Sequence, residues 1–357
     1  MTTIFSNSLG PRAMKITVQH KSGELAFDCG ERESILYAGL RQGINLPFEC
    51  ATGTCGTCRA RVTSGDVDVQ WKEAPGGARL KPDKGDILMC QARARSHCQL
   101  LVPSELAIAD KAAPTRRRGV IRDLRILTKD VVHFDLHLTS PMRFQAGQFV
   151  VLERPEIAGG RAYSMVNFAD EVERLALVIK RKPGGRFCDW IFDSFSGEAD
   201  VEVFGPLGRA VFRPEENRNF VCIAGGSGIA GMMSILQCAV QADYFRTHSA
   251  AVFFGVRTVA DTFYLEDLSR YVAASHGNLD VTVALSDENV DSAQHADFPI
   301  LKLANGFVHE VAAKAMAERD RNVIAYLAGP TVMVDAAIRS LIVGGVGRKD
   351  IRYDKFS

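Results

Sequence analysis

Polar and apolar residues alternate through Lys15–Val18 and again through Glu24–Phe27, with Lys21-Ser22-Gly23 between, which predicts a β-hairpin. The period becomes helical over Glu33–Leu40 and stops near Gly43, predicting one short helix. Periodicity vanishes across Cys50–Cys58, then returns as short strands at Arg59–Thr63, Ile87–Met89 and Cys98–Val102. Ser104–Gly119 has no strand pattern, contains Ala112-Ala113-Pro114, and reads as a linker. Its Arg116-Arg117-Arg118 reads first as a solvated face, with docking of an acidic partner as the alternative. Strands at Val131–Leu138, Gln148–Leu152, Leu175–Ile179 and Val201–Phe204 follow at regular spacing, the mark of an antiparallel barrel. The pattern then changes again. Phe220–Ala224 is continuously apolar and opens α/β alternation: a helix at Met232–Ala242, a strand at Leu279–Leu285, a helix at Val308–Ala317, a strand at Val323–Leu327, a helix from about Ala328 and a last strand from Ile351. The chain is therefore multidomain, α+β then α/β: residues 1–103 with 1–13 a loose extension, a linker at 104–119, a barrel at 120–216 and a parallel-sheet domain at 217–357.

Composition narrows the function. With 357 residues and a formal net charge of +1, nothing points to nucleic acid or an anionic membrane as partner. No segment reaches the apolar length of a membrane span, and residues 1–13 lack the apolar core of an export signal. The nine cysteines form no disulfide framework; Cys29, Cys98, Cys188, Cys222 and Cys238 are scattered, mostly in apolar runs, which fits a reducing cytoplasm. A monomer is expected.

The other four cysteines carry the strongest signal. Four residues separate Cys50 from Cys55, two separate Cys55 from Cys58, and Cys90 follows much later. C-x4-C-x2-C…C is the spacing of an all-thiolate [2Fe–2S] site. A tight loop presents three thiolates from one side and a separate segment supplies the fourth. A zinc site or buried structural thiols are the alternatives, but zinc usually shows two similar C-x2-C pairs.

Two motifs stand out in the barrel. In Arg161-Ala162-Tyr163-Ser164 the arginine suits a diphosphate, the tyrosine ring can lie on a flavin, and the serine hydroxyl can hydrogen-bond to its N5 edge. Lys180–Cys188 carries Gly184-Gly185 before a helix expected at Asp189–Phe195, where free backbone N–H groups can hold phosphate. In the last domain the Phe220–Ala224 strand runs into Gly225-Gly226-Ser227-Gly228-Ile229-Ala230-Gly231 and a helix, the setting of a dinucleotide turn. No acidic residue closes the next strand; Arg257 stands there, followed by Asp261 and Glu266, which favours NADH over NADPH.

Pro47-Phe48-Glu49-Cys50, the three-cysteine loop and Cys90 resemble a plant-type ferredoxin domain, of β-grasp fold. The barrel motifs resemble the Greek-key FAD domain of the ferredoxin–NADP reductase superfamily, and the glycine turn its Rossmann-like NAD domain. The order ferredoxin, FAD, NAD is similar to reductase components of bacterial ring-hydroxylating dioxygenases and of diiron monooxygenases of the toluene and phenol types. The resemblance implies FAD contacts at Arg161, Ala162, Tyr163, Ser164, Val178, Ile179, Lys180, Gly184, Gly185, Arg186 and Cys188, and nucleotide contacts at Gly225, Gly226, Ser227, Gly228, Ile229, Arg257, Gly329 and Pro330. It also implies that Phe356 covers the flavin and that Ser164 and Phe356 act in hydride transfer. The chain departs from the family at Cys188, Gly231 and Ala328, where Ser or Thr, Pro and Cys are usual. Asn305–Glu310 and the terminal Tyr353-Asp354-Lys355-Phe356 are closest to the diiron type, with His309 reading as a helix-start residue.

The activity implied is transfer of electrons from NADH through FAD and the [2Fe–2S] cluster to a terminal oxygenase component or its ferredoxin, in oxidation of aromatic compounds. A reductase for a non-oxygenase such as a deoxysugar dehydrase is a second reading. A non-enzymatic iron–sulfur carrier or sensor is a third.

Overall fold

The computed structural model describes residues 13–108, 113–289, 294–295 and 297–356. The expected loose extension therefore lies outside the described residues except for Ala13, as do residues 109–112 of the expected linker. The chain divides into two compact units between Thr115 and Arg116.

In the first unit, strands β1 (Met14–His20) and β2 (Gly23–Cys29) form the expected hairpin, Ile16 opposite Phe27 and Val18 opposite Leu25. Helix α1 (Ile35–Arg41) is capped by Ser34, whose side chain accepts from the Tyr37 amide, and it buries Ile35, Leu36 and Leu40. Strands β3 (Arg59–Ser64), β4 (Val67–Val69), β5 (Asp86–Leu88), β6 (Ala92–Ala94) and β7 (Cys98–Leu101) complete the unit. Five of the strands form one sheet in the order β2-β1-β7-β3-β5, and β4 pairs with β6. Asp86 is buried on edge strand β5 and receives Arg59 at 2.5 Å and Arg61 at 3.0 Å. Burial alone would raise its pKa, but the Lys81 amide and the two guanidinium groups outweigh it and hold the carboxylate below its usual range.

The second unit starts earlier than the sequence pattern suggests. Strand β8 (Thr115–Thr128) already contains the arginine run, so no linker extends to Gly119. Nor is that run simply a solvated face: Arg116 bonds to Glu153 at 2.5 Å and Glu202 at 2.6 Å, and Arg117 donates to the Gly205 carbonyl. Alternation is hard to see there because Arg116 turns to carboxylates on other strands and Arg117 to a backbone carbonyl. Strands β9 (Val131–Met142), β10 (Phe149–Arg154), β11 (Ile157–Ser164), β12 (Val172–Lys180) and β13 (Ala199–Leu207) join β8 in the order β11-β10-β13-β8-β9-β12. An isolated bridge between Met165 and Leu177 brings the two ends of the sheet together into a barrel around Phe134, Val150, Leu177 and Phe187.

The barrel leads into a parallel sheet. Strand β14 (Phe220–Gly225) lies between β15 (Ala250–Val256) and β19 (Ile324–Pro330); β16 (Leu279–Leu285) and β18 (Phe298–Asn305) extend one side, with β17 (Gln294–His295) at its edge, and β20 (Ile351–Phe356) the other. Alternate β14 residues explain the two layers. Phe220, Cys222 and Ala224 pack with helices α3 (Ile229–Gln241) and α4 (Leu265–Ala273). Val221 and Ile223 pack with α5 (Val308–Met316) and α6 (Thr331–Val343). Each buried Val, Ile or Phe of this kind contributes about 1.5–3 kcal/mol. Helix α2 (Arg186–Asp189) follows β12. Among the described residues no helix is long and apolar enough to cross a membrane.

Candidate functional site

The cysteine loop is almost all turn. Tyr37 donates to the Ala51 carbonyl at 3.0 Å, and Met89 donates to the Cys58 carbonyl at 2.9 Å, which brings Cys90 to the loop. Gly56 has φ +83° and a Cβ there would lie 2.8 Å from the Gly76 carbonyl oxygen, so only glycine lets the segment around Gly76 close over the loop. The Gly76 amide also bonds to the Gly53 carbonyl at 2.9 Å. That covering segment, Gln70–Leu80, carries no periodicity and was not legible in the sequence.

The four sulfurs fall into two pairs. Cys58 and Cys90 Sγ are 3.2 Å apart. The Cys50 amide donates to Cys55 Sγ at 3.5 Å, and the Thr52 amide to Cys50 Sγ at the same distance. The neighbouring Cys55 thiol draws the Cys50 thiol down to about 4, while Cys50 pushes Cys55 up and Cys58 pushes Cys90 up. Within each pair one thiolate opposes a second, so four thiolates here require cations between them. Among the described residues no three His, Cys, Asp or Glu side chains gather round one ion position. Two pairs of sulfurs suit a two-iron centre with two thiolates per iron.

The second candidate site is assembled from distant segments. Arg161–Ser164 ends β11, where Ser164 pairs with Phe149 of β10. Ser164 is buried, and among the described residues its Oγ has no partner within hydrogen-bonding reach. An unsatisfied buried hydroxyl is rare and costly, and it fits a polar edge of a bound group such as a flavin. The Tyr163 ring centroid lies 5.6 Å from that of Phe187, and burial pushes its hydroxyl pKa up.

The glycine-opened helix begins at Arg186 with Gly185 as its cap, earlier than the Asp189 start expected, and Trp190–Ser194 continues it as a wider π turn. Gly184 at φ +75° and the Gly185 amide, bonded to the Lys182 carbonyl at 3.0 Å, turn the chain into the helix before the apolar residues that signalled it. Cys188 thus sits inside this helix, facing the Lys180 carbonyl at 3.8 Å. Val178 and Ile179 are core side chains; past the Met165–Leu177 bridge the outer edge of β12 has no strand paired to it among the described residues, so their backbone is what they offer a cofactor.

At the carboxyl edge of the parallel sheet, Gly226–Gly228 forms a tight turn between β14 and α3. A Cβ on Gly228 would lie 2.2 Å from the Ala328 carbonyl oxygen, so this glycine permits the approach of β19. Neighbours β15 and β19 lie on opposite sides of β14, making this the switch point where open α/β sheets bind ligands. Lys180 reaches it from the barrel, its Cδ 3.6 Å from where a Gly226 Cβ would be. Pro330 pairs with Phe356 across β19 and β20, and the Phe356 ring meets Phe149 edge-on with centroids 6.4 Å apart. Ser164, Phe149, Phe356 and the glycine turn therefore come together. The sequence had marked Ser164, Phe356 and the turn, but not Phe149, a plain apolar strand residue.

Arg257 is exposed just after β15. Asp261, expected to oppose a phosphate there, does not stand open to one. Asp261 is buried in a capping box with Thr258 and lies 3.6 Å from Lys129, so its charge is already engaged. From the segment after β16, the Asp287 amide bonds to the Arg257 carbonyl at 2.9 Å, and the Glu288 carboxylate accepts from the Val259 amide at 2.7 Å.

Comparison with known proteins matches the geometry region by region. Residues 17–95 match a 2Fe-2S iron-sulfur cluster binding domain, 119–212 an oxidoreductase FAD-binding domain and 222–339 an oxidoreductase NAD-binding domain. The chain is 33% identical over 340 residues to the ferredoxin–NAD(P)(+) reductase CarAd of Metapseudomonas resinovorans, covering 94% of this chain and 98% of that protein. It is 32% identical over 337 residues to the phenol 2-monooxygenase reductase component DmpP of Pseudomonas sp. strain CF600, covering 94% and 92%. A solved ferredoxin reductase in carbazole 1,9a-dioxygenase superposes with a TM-score of 0.81 at 31% identity, over 97% of this chain and 99% of that one. The chain belongs to the family of ferredoxin–NAD(P)(+) reductases that combine a 2Fe–2S domain with FAD- and NAD-binding domains, an oxidoreductase family that includes the reductase components of oxygenase systems.

Proposed function

We propose that this reductase takes hydride from NADH and delivers single electrons through its own [2Fe–2S] cluster to a separate oxygenase component or that oxygenase's ferredoxin. The observation that carries the reading is the buried, unpartnered Ser164 hydroxyl beside Phe149 and Phe356, against a glycine turn at the sheet's switch point. FAD, when bound, supplies the change from two-electron to one-electron transfer.

The residues divide the work. Cys50, Cys55, Cys58 and Cys90 hold the two irons. Arg161, Ala162, Tyr163 and Ser164, the backbone of Val178, Ile179 and Lys180, and Gly184, Gly185, Arg186 and Cys188 hold FAD. Gly225–Ile229, Arg257, Gly329 and Pro330 hold the dinucleotide. Ser164 would hydrogen-bond to the flavin's reacting edge, and Phe356 would cover the flavin face that nicotinamide must also reach. NADH is preferred over NADPH, because the segment after Arg257 carries no second basic residue for a ribose phosphate and the Glu288 carboxylate lies close by at the Val259 amide. Relatives named as reductases of phenol 2-monooxygenase and carbazole dioxygenase support an oxygenase partner. We further place the protein in the cytoplasm as a monomer without a nucleic-acid partner, in keeping with its near-zero net charge and scattered cysteines.

Anaerobic mixing with NADH tests this. The flavin absorbance should bleach first and the cluster absorbance follow, with a higher kcat/KM for NADH than for NADPH. A flavin that NADH does not bleach would leave a ligand-binding iron–sulfur carrier, the reading the preserved Ser164–Phe356 contact region disfavours.

A further inference from the structure

Helix α3 presents an almost wholly apolar face, with Ile229, Met232, Met233, Ile235 and Leu236 buried, yet Ser234 in its midst is buried too. Its hydroxyl makes two hydrogen bonds. It donates to the Gly231 carbonyl of its own helix at 2.9 Å and accepts from the Gly147 amide of the barrel at 2.8 Å. Donation back to the helix turns the lone pairs outward, toward the Gly147 N–H.

Both ends of this link belong to the site. Gly147 precedes Phe149, which pairs with Ser164 and touches Phe356. Gly147 has φ +96°, and a Cβ there would lie 2.2 Å from the Ala210 carbonyl oxygen, so its backbone is held in one place. At the other end, Gly231 lies in the first turn of α3, directly after the dinucleotide turn. A Cβ on it would be 3.6 Å from the Gly147 carbonyl oxygen and 3.7 Å from Ser164 Oγ. The Ser234 hydroxyl thus ties the helix that follows the nucleotide turn to the strand pair that carries the flavin-edge serine. Other hydrogen bonds cross from barrel to sheet domain, such as Phe168 amide to Gln237 at 2.9 Å, but that one lies farther along α3 and is only half-buried.

We propose that Ser234 is a positioning residue for hydride transfer: through Gly147 and Gly231 it sets the separation between the nicotinamide and the flavin edge at Ser164. This deepens the function proposed above and rests on it. Reacting atoms must approach within roughly 3–3.5 Å, and displacement by about 1 Å costs on the order of a hundredfold in rate. A hydroxyl that fixes two backbones to each other is suited to that tolerance.

The test compares full-length holoprotein with Ser234→Ala, Ser234→Cys and Gln237→Ala. A non-reducing NADH analogue gives a charge-transfer absorbance only when the nicotinamide ring stacks on the flavin, and this is the second readout beside turnover. Ser234→Ala should keep its FAD, lose most of that absorbance, and be reduced by NADH roughly ten- to a hundredfold more slowly with little change in KM. Ser234→Cys, with a weak acceptor of similar size, should fall between. Gln237→Ala should lower Tm without changing the absorbance or the reduction rate. If Ser234→Ala does not fold, Ser234→Cys decides by the same two readouts. Wild-type absorbance and a reduction rate within twofold of wild type, with only Tm lowered, would overturn the proposal. Absence of any flavin reduction in the wild type would instead overturn the function on which it rests.

Discussion

The cysteine site and the proposed hydride site are built in opposite ways. Three of the four thiols lie within nine consecutive residues, and the fourth arrives because Met89 bonds to the Cys58 carbonyl. The hydride site takes Ser164 from the end of β11, Phe149 from β10, the glycine turn after β14 and Phe356 from the last strand. A site held on one loop is sensitive to its ligands and its local glycines. A site assembled from four strands is sensitive to the packing that joins them, including residues far from the chemistry.

The sharpest way to break the comparison is Cys90→Ser. We expect reduction of a one-electron acceptor protein to fall to background, while flavin bleaching by NADH in stopped flow keeps its rate. If acceptor reduction survives at the original rate, Cys90 does not hold iron and the local site is wrong. The counterpart at the assembled site is Gly228→Ala. A methyl 2.2 Å from the Ala328 carbonyl forces β14 and β19 apart, at a cost of about 3 kcal/mol, and should raise KM for NADH roughly tenfold. Its cluster spectrum should not change.

Asp86→Asn sharpens the contrast within the first unit. Two arginines converge on this buried carboxylate. Its replacement should lower the unit's stability by about 2 kcal/mol, followed by cluster absorbance on heating, and leave flavin fluorescence melting untouched. Because the native pKa is depressed, the carboxylate's contribution is present above about pH 4 and disappears as pH falls through the native value. An Asn variant that melts as wild type at pH 7 would show the arginines to be merely exposed.

The smallest effect is expected at the junction of barrel and sheet domain. His133 Nδ1 meets the Tyr264 hydroxyl at 2.8 Å, with Asp135 on its own strand at 3.4 Å and Arg125 and Arg174 on β8 and β12 near by. Burial, with Arg125, pushes its pKa down against the pull of Asp135. The native state thus resists protonation, so stability is full above about pH 6.5 and declines as pH falls from there toward the native value. In His133→Gln the change in flavin-monitored Tm between pH 7.5 and 5.5 should shrink by the equivalent of about 1 kcal/mol or less. An unchanged pH slope would remove His133 from the junction's acid response.

Much of this architecture was written in short-range pattern. The Ile16/Phe27 hairpin, helix α1 behind Ser34, and the Phe220–Ala224 strand before a glycine turn follow from periodicity and turn chemistry, which act over a few residues. The gathering of the cysteines was legible for the same reason, since spacing along the chain is spacing in a loop. Sequence also determined the order of the three cofactor domains and marked Ser164 and Phe356. Tertiary structure decided the rest. It drew the arginine run into β8 through Glu153 and Glu202, tied up Asp261 with Thr258 and Lys129, and laid the patternless Gln70–Leu80 segment over the cysteines. It also gave Phe149 and Ser234 their places, although one looks like ordinary strand core and the other like a stray polar residue on an apolar helix. The physical reason is range. Propensity and periodicity report a residue's neighbours in the chain, whereas an ion pair, a close backbone approach or a buried hydroxyl's partner depends on which distant segment packing brings alongside.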